Sequence, residues 1–413
     1  MKEIIPIGLG PAGLSHLSSY LLQIISEHSS SPSSPVAFFP FSPLSPRFLA
    51  IDTNSFSSFS SFLHPSISSS LLIQPSSLLQ LPLSNILPSN SSITSSLLSS
   101  LLPLAEECES LQGFLFFVGM DGMEGSLLGS RVVKEIKDLF PNKLIFTIMS
   151  GEFGEEEGGG GSLVGYNQTL GIGGGVGEES DWILMVDGRE GEGVNSKIGK
   201  YTSDITSGSR FKGYSANSLR KICTTSVVFP RMKFFSANSF NENEIGFSLL
   251  PPSLFLRRSL QRLAKNENGS LKGQLENDER LFNFISIARG DYASSELEEM
   301  NQEKIVKTVF DWSLDYNFIG HSYNKKNESM GNEITFFNRS KIQTEAIRCS
   351  VNKFDRLFKR KAFLWHYCDK LGIDEMEFVE AESNMNDLIC ELTPYSCGIN
   401  WEDNDMDYEM EDF

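Results

Sequence analysis

Cysteine and histidine are scarce in this chain, and neither is placed for metal binding. Six cysteines occur among 413 residues, and no two of them form a CxxC pair. That pattern excludes a disulfide scaffold and a cysteine-based zinc site, and it indicates a reducing compartment. The five histidines are scattered, with no glutamate or cysteine at ligand spacing. We therefore expect no metal site built from cysteine or histidine.

Long apolar runs and basic residues are also in short supply. No stretch reaches about 18 apolar residues, so we expect no transmembrane helix and no membrane partner. The first 28 residues alternate small, polar and apolar types, unlike a basic leader followed by an apolar run. Lysine and arginine total 35 against 53 acids, a net charge of −18. Because nucleic-acid binding needs clustered basic residues, we expect no nucleic-acid partner.

Serine and leucine fill the segment 29–104, whose only charged residues are Arg47 and Asp52. By composition this is a low-complexity tract. Its leucine pairs recur without a clean helical or strand period, so we expect a degenerate tract laid over older elements.

Strand-like and helix-like segments alternate in the rest of the first half. Buried strands are predicted at Glu3–Ile7, Phe114–Val118, Leu144–Met149 and Ile183–Val186. Leu128, Val132, Ile136 and Leu139 have the spacing of one helical face. This alternation predicts an α/β fold with a parallel sheet and crossover helices. Between the strands, Glu152–Gly177 is rich in glycine and glutamate, and we expect a mobile surface loop there around a more ordered Tyr166-Asn167.

The second half predicts smaller elements followed by helices. We expect a helix starting at Leu219, a loop-rich region over 236–279, a helix at Glu296–Lys307, and strands at Val227–Phe235, Phe282–Ile287 and Thr335–Phe337. From Ser340 onward the pattern is helical. The last helix starts near Asp374, with its acids at the positive dipole end, and directs Phe378, Met385, Leu388 and Ile389 inward. The acidic tail Glu402–Phe413 is expected to be disordered.

The first glycine motif follows the first predicted strand. Gly8, Gly10 and Gly13 fit the pattern GxGxxG, in which backbone N–H groups at a helix N-terminus approach a phosphate. The string GLGPAGLS is also similar to the opening of a flavin-dependent oxidoreductase. That alternative requires an acid about 20 positions further on, and 29–45 contains none.

The C-terminal region carries a more specific pattern. The stretch from Arg360 to Tyr367, RKAFLWHY, and the stretch from Asp374 to Leu388, DEMEFVEAESNMNDL, closely resemble the C-terminal helices of tubulins, β-tubulin in particular. The family usually has His-Trp where this chain has Trp-His. Matches continue through much of the chain, at Met1–His28, Leu111–Pro141, Tyr166-Asn167, Leu219-Arg220-Lys221 and Arg289-Gly290.

The resemblance implies a tubulin-like α/β fold. Its parts are a Rossmann-like nucleotide domain with a parallel sheet at 1–192, a long central helix and mixed-sheet intermediate domain at 193–338, a C-terminal helical hairpin at 339–395 and an acidic tail at 396–413. It further implies GTP and Mg²⁺, an α-tubulin-type partner in a heterodimer that stacks into microtubules, motor or microtubule-associated proteins on the C-terminal helices, and a cytoplasmic, cytoskeletal location.

Carried over residue by residue, the nucleotide site is expected to be weakened or lost, the alternative being a divergent pocket that still holds GTP with altered contacts. The family's GGGTGSG falls on residues 121–127, where only Gly122, Gly125 and Ser126 remain and Asp121 and Glu124 place carboxylates near the phosphates. Gly10 and Gly13 persist, but Pro11-Ala12 replaces Gln-Cys. The resemblance therefore implies backbone phosphate contacts at Gly10, Gly13, Gly125 and Ser126.

Other nucleotide contacts are missing by the same alignment. The magnesium-holding glutamate after Asp52 is absent, and Gly188 replaces the asparagine that reads the guanine edge. The aromatic that stacks on guanine falls near Asn195, with Tyr201 close by. GTPase activity, which the family shows on assembly, is therefore expected to be weak or absent.

Lys221 indicates the subunit type. The family's α chains carry a catalytic glutamate there, and β chains carry a lysine that faces the partner's nucleotide. Lys221 is thus β-like and suited to an anionic partner surface, unless it is only a surface lysine. Three hypotheses follow: a divergent β-tubulin-like structural subunit with a degraded GTP site, a tubulin-derived interaction protein that neither polymerises nor binds nucleotide, and a flavin or dinucleotide oxidoreductase.

Overall fold

Ten strands and eleven α-helices are found in the part of the chain that the structure describes. This is a computed structural model, and it describes residues 3–28, 48–52, 78–81, 90–154, 163–190, 193–211, 213, 218–242, 252–271, 281–293, 295–297, 309, 313, 316–322 and 332–396. The strands are β1 Glu3–Leu9, β2 Leu49–Asp52, β3 Leu78–Gln80, β4 Leu111–Gly119, β5 Leu144–Gly151, β6 Trp182–Asp187, β7 Phe234–Asn241, β8 Asn283–Arg289, β9 Phe318–Ser322 and β10 Glu333–Arg339.

The helices connect and cover these strands. They are α1 Gly10–His28, α2 Asn90–Glu106, α3 Gly129–Leu139, α4 Val164–Ile172, α5 Gly175–Glu179, α6 Gly193–Arg210, α7 Leu219–Ser226, α8 Pro252–Leu263, α9 Lys341–Phe358, α10 Trp365–Leu371 and α11 Glu375–Ser396. A π-helical turn, Glu124–Leu128, precedes α3. Among the described helices, none is both long enough and apolar enough to cross a membrane.

All ten strands belong to one sheet, in the order β3-β2-β1-β4-β5-β6-β7-β10-β8-β9. The strands from β3 to β6 pair in parallel, with β1 beside β4 at the centre. All seven residues of β1 and the last seven of β4 are buried, as expected for strands covered on both faces. The predicted α/β class and parallel sheet are confirmed.

The remaining strands make the sheet mixed. β10 pairs antiparallel with β7 and β8, and β9 pairs parallel with β8. The two halves of the sheet join only where Ile183-Leu184 of β6 pairs with Phe234-Phe235 of β7. Beside this join the Trp182 ring stacks on two phenylalanine rings, one in each half, with ring centroids 5.2 and 5.0 Å away.

Helices α1 and α6 lie side by side on one face of the sheet. A Cβ on Gly199 of α6 would approach the Ser19 carbonyl oxygen of α1 to 2.9 Å, so the two backbones are very close. Both helices begin at the carboxyl edge of the parallel strands, because α1 follows β1 and α6 follows β6. With 18 residues at about 1.5 Å rise each, α6 spans about 27 Å.

A buried ion cluster joins α1, α6 and β8 at the far end of these helices. The Glu27 carboxylate lies 2.7 Å from the Arg210 guanidinium and 3.0 Å from that of Arg289. Arg289 also pairs with Asp204 at 2.7 Å. The four side chains are at most 3% exposed, so two acids and two bases compensate each other away from water.

The C-terminal helices pack on α4. Ser340 caps α9 through a capping box with Gln343. The rings of Tyr166, Phe354, Tyr367 and Phe378 form a buried cluster between α4 and these helices. The four residues predicted to face inward on the last helix are all buried, so that prediction is confirmed.

Several local predictions were wrong. The leucines of the serine-rich tract do have a helical period in α2, where Ile93, Leu97, Leu101 and Leu104 are buried. The expected loop at Glu152–Gly177 contains α4 and α5, and the expected loop at 236–279 contains α8. β7 begins at Phe234 rather than Val227. Most of the predicted helix at Glu296–Lys307, and the tail beyond Ser396, lie outside the described residues.

Candidate functional site

The carboxyl edge of the parallel strands forms the candidate site. β1 and β4 lie together at the point where the strand order reverses, which is where open α/β sheets bind ligands. The start of α1, directly after β1, holds Gly10 to Gly13, and the segment after β4 runs from Met120 to Gly125. We call the edge of the sheet at these two segments the crevice.

Glycines bring the two segments into direct contact. Gly10 has φ +67°, and a Cβ there would lie 3.1 Å from the Glu124 Cβ. A Cβ on Gly13 would lie 2.2 Å from the Phe117 carbonyl oxygen, so this glycine permits close helix–strand packing. A Cβ on Gly125 would lie 1.9 Å from the Gly119 oxygen. The backbone at these three positions therefore requires glycine.

The donors available for a phosphate are few. α1 begins at Gly10, so its first N–H groups have no partner within the helix, but Pro11 carries no N–H. Ser126 is fully buried, its N–H donates to the Gly122 oxygen at 3.2 Å, and its hydroxyl donates to the same oxygen at 3.1 Å. Both donor groups of Ser126 are therefore taken up within its own turn. The predicted phosphate contacts from Gly10, Gly13, Gly125 and Ser126 all stay predictions.

The two acids of the segment after β4, Asp121 and Glu124, differ in their placement. Glu124 lies in the crevice, since its Cβ faces Gly10 and its Oε2 lies 3.4 Å from where a Gly122 Cβ would be. Contrary to expectation, the Asp121 carboxylate is turned away from the crevice, toward Glu152 and Gln168. Its Oδ1 accepts hydrogen bonds from Glu152 N and Gln168 Nε2, both at 3.0 Å. Burial raises the pKa of Asp121, against the lowering effect of these hydrogen bonds.

The ends of β2 and β6 also lie at this edge. Asp52 is buried as the last residue of β2, where a dinucleotide fold places its ribose-binding acid. At the end of β6, Asp187 accepts hydrogen bonds from the Arg189 side chain at 2.6 and 3.0 Å. Tyr201 is 2% exposed within the α6 core, so its ring cannot stack on a base in the crevice.

A hydrogen-bond chain that sequence analysis missed connects α1, α6 and the end of β5 beside the crevice. The His16 Nδ1 lies 2.7 Å from the Asn195 Oδ1, and its Nε2 lies 2.7 Å from the Ser150 hydroxyl. Burial lowers the pKa of His16 to about 4, against the hydrogen bond to Asn195, which raises it. A neutral ring therefore donates to Asn195 from Nδ1 and accepts from Ser150 at Nε2. No spacing rule predicts contacts between residues so far apart in sequence.

These residues do not fit a magnesium–GTP complex. Glu124 lies at this edge, where its carboxylate would repel a bound phosphate. At a separation of about 4 Å and an effective dielectric of about 20, such a repulsion costs about 4 kcal/mol. Pro11 and Ser126 withhold donors that a triphosphate would need. Across the described ranges, no group of three or more His, Cys, Asp or Glu residues is placed to hold a metal ion.

Lys221 lies at the opposite pole of the molecule. It is exposed on α7, which follows the far end of α6. Its Nζ lies 4.3 Å above the centre of the Phe318 ring, a cation–π contact that positions the ammonium group. The crevice and Lys221 are thus separated by the length of α6.

Comparison with known proteins gives consistent relatives, although no protein-family model matches the chain. The chain is 27% identical over 336 residues to the tubulin beta-1 chain of Colletotrichum gloeosporioides, covering 75% of this chain and 71% of that protein. It is 27% identical over 332 residues to the tubulin beta chain of Saccharomyces cerevisiae, covering 73% and 69%.

A plant protein gives the same result. The chain is 28% identical over 334 residues to the tubulin beta-7 chain of Gossypium hirsutum, covering 74% of this chain and 71% of that protein. These relatives favour the tubulin-type interpretation of the glycines after β1 over the flavin alternative. These relatives support a divergent member of the tubulin family, and the α/β fold with its mixed ten-stranded sheet is consistent with that family.

Proposed function

We propose that this chain is a structural subunit of the microtubule cytoskeleton that pairs head to tail with an α-tubulin-type partner. Its relatives are named tubulin beta chains, which supports the cytoskeletal role and a cytoplasmic location. The proposal depends on the placement of two features at opposite ends of the molecule. The glycine-lined crevice and the exposed Lys221 lie at opposite poles of α6, as stacking one pole on the other requires.

Lys221 supports a β-type place in such a pair. An ammonium group held over Phe318 presents positive charge to whatever covers this pole. A triphosphate in the partner's crevice is complementary to that charge. A lysine cannot act as the base that activates a water for hydrolysis at neutral pH unless its pKa is strongly lowered.

The chain's own crevice is proposed to be a degraded GTP site. The Glu124 carboxylate repels phosphate, and Ser126 donates the hydrogen bonds of its N–H and its hydroxyl to the Gly122 oxygen. GTP and Mg²⁺ are then held weakly or not at all, and GTPase activity by this subunit is weak or absent. The polymer role does not depend on that activity, because the partner can supply the nucleotide at the shared interface.

The outer surface of α11 is proposed to bind motor or microtubule-associated proteins. Its buried face packs through Phe378 and Met385, which leaves Glu380, Asp387 and Glu391 on the exposed face. An acidic helix face attracts basic proteins in a salt-dependent way.

Co-sedimentation with α/β-tubulin polymer tests the proposal. We expect the wild-type chain to pellet with polymer and Lys221→Glu to stay in the supernatant, because the substitution reverses the charge that faces the partner. Arg220→Glu is the matched control, since Arg220 is the exposed neighbour on the same helix. Equal pelleting of wild type and both variants would contradict the role of Lys221.

A second candidate function is a tubulin-derived interaction protein that does not polymerise. The scarcity of phosphate donors at Pro11 and Ser126 favours it, because the surface at this chain's own crevice then lacks a firmly held nucleotide, whatever the partner supplies at the other pole. Under this reading the wild-type chain stays in the supernatant while basic proteins still bind α11. Sedimentation of the wild type with polymer would exclude it.

A further inference from the structure

Ser150 lies between the glycine segments and His16. A Cβ on Gly119 would lie 2.5 Å from the Ala12 Cβ and 3.7 Å from the Ser150 hydroxyl oxygen. The Met120 N–H donates to the Ser150 carbonyl oxygen at 2.7 Å. Ser150, which bonds the His16 ring, is therefore part of the crevice wall.

The polar groups at this end are already satisfied by the protein itself. His16 is 5% exposed and Ser150 is 6% exposed, and each lies on a different element from Asn195. The ring nitrogens meet one acceptor and one donor at 2.7 Å, which is the pattern that a small nitrogen heterocycle offers a binding site. The imidazole makes the hydrogen bonds that an external heterocycle would make with Asn195 and Ser150.

We propose that His16 is an internal ligand that occupies the base end of the crevice in place of a nucleotide base. The inference rests on the proposed function only for the position of the degraded site. Through Asn195 and Ser150 the ring joins α1, α6 and the end of β5, so hydrogen bonds within the chain hold these three elements together at this end of the crevice. A heterocyclic base binds there only when the ring is removed.

The first test is ligand rescue of His16→Ala, followed by thermal unfolding of the full chain. We expect its Tm to fall by roughly 5 °C, because a buried ring and two hydrogen bonds are lost. Imidazole and guanosine, added separately, should each raise the Tm of this variant and leave the wild type unchanged. His321→Ala is the control, since His321 is also buried but bonds the Gly290 oxygen in the other half of the sheet; guanosine should not raise its Tm.

The outcomes separate clearly. If neither compound stabilises His16→Ala, the ring is not standing in for a ligand and the inference is overturned. If imidazole stabilises it and guanosine does not, the space accepts only a histidine-sized ring and the base-site assignment is overturned. Neither result depends on polymer pelleting, so a failure of the proposed assembly role is read separately.

A second measurement does not require the variant to fold. Histidine-selective isotope labelling of the wild-type chain reports ring protonation by nuclear magnetic resonance. We expect the His16 ring to stay neutral, with its proton on Nδ1, down to a pH of about 5, because burial lowers its pKa to about 4. A His16 ring that titrates near its ordinary value of 6.5 would be solvated, and the internal-ligand inference would fail.

Discussion

The buried ion cluster gives the sharpest stability prediction. Glu27→Gln keeps the shape of the side chain and removes its charge, which leaves Arg210 and Arg289 with Asp204 as their only carboxylate in the cluster. The Glu27 side chain is 0% exposed, so water cannot compensate the excess positive charge. Removing one partner of such a buried pair costs about 3–5 kcal/mol. We expect the free energy of unfolding to fall by that amount.

Urea denaturation followed by circular dichroism measures this loss as a shift of the midpoint at constant slope. The matched control is Glu391→Gln, which breaks a pair with Arg231 whose side chains are 51% and 52% exposed. Exposed pairs contribute about 0–1 kcal/mol. If Glu27→Gln unfolds at the same urea concentration as Glu391→Gln, the cluster does not stabilise the fold as reasoned.

The same cluster sets a pH dependence. Burial alone would raise the pKa of Glu27, but the charges and hydrogen bonds of Arg210 and Arg289 outweigh it and hold the pKa well below its usual range. In the unfolded chain this carboxyl titrates near about 4.3. Its contribution is therefore fully present above that pH and is lost as the pH falls below it. Wild-type stability should fall more steeply than that of Glu27→Gln below about pH 4.

Three further substitutions test single features. Arg339→Met should leave the free energy of unfolding unchanged or raise it by about 1–3 kcal/mol. Its guanidinium is buried with no carboxylate partner in the described part of the chain, and burial lowers its pKa to about 9. A lower urea midpoint would contradict this. Gly125→Ala should lose at least about 3 kcal/mol, whereas Gly193→Ala, which meets no atom within 4 Å, should stay within about 0.5 kcal/mol in the same urea series. The Tyr367 hydroxyl donates to the buried Asn167 Oδ1 at 2.5 Å. Tyr367→Phe removes this donor, so it should lower the free energy of unfolding by about 1–3 kcal/mol. A urea midpoint like that of the wild type would rule out the bond's contribution.

Sequence patterns predicted the elements that are buried in a regular way. β1, β4, β5 and β6 are covered on both faces, so they appear as continuous apolar runs. α4 was missed because all nine of its residues are buried, which removes the alternation of polar and apolar faces. β9 is only five residues long and contains glycine and histidine, which gives no strand signal.

The candidate site was predicted only as far as local backbone needs reach. Gly10, Gly13 and Gly125 could be recognised because tight turns and close packing select glycine. The His16 chain spans 134 and 179 positions, and the Asp121 hydrogen bonds span 31 and 47. Such long-range pairings follow from how α1, α6 and β5 meet, which no local pattern records.

The join between β6 and β7 has a mechanical consequence. Two residue pairs connect the halves of the sheet there, whereas seven connect β4 with β5. If the sheet is bent, we expect the chain to yield first along this seam, beside the stacked rings of Phe146, Trp182 and Phe235, where Ser270 adds hydrogen bonds to Asp187 and Ala237. The Trp182 ring contacts both halves of the sheet, so its fluorescence should change when the angle between the two halves changes, while the glycine segments keep their shape.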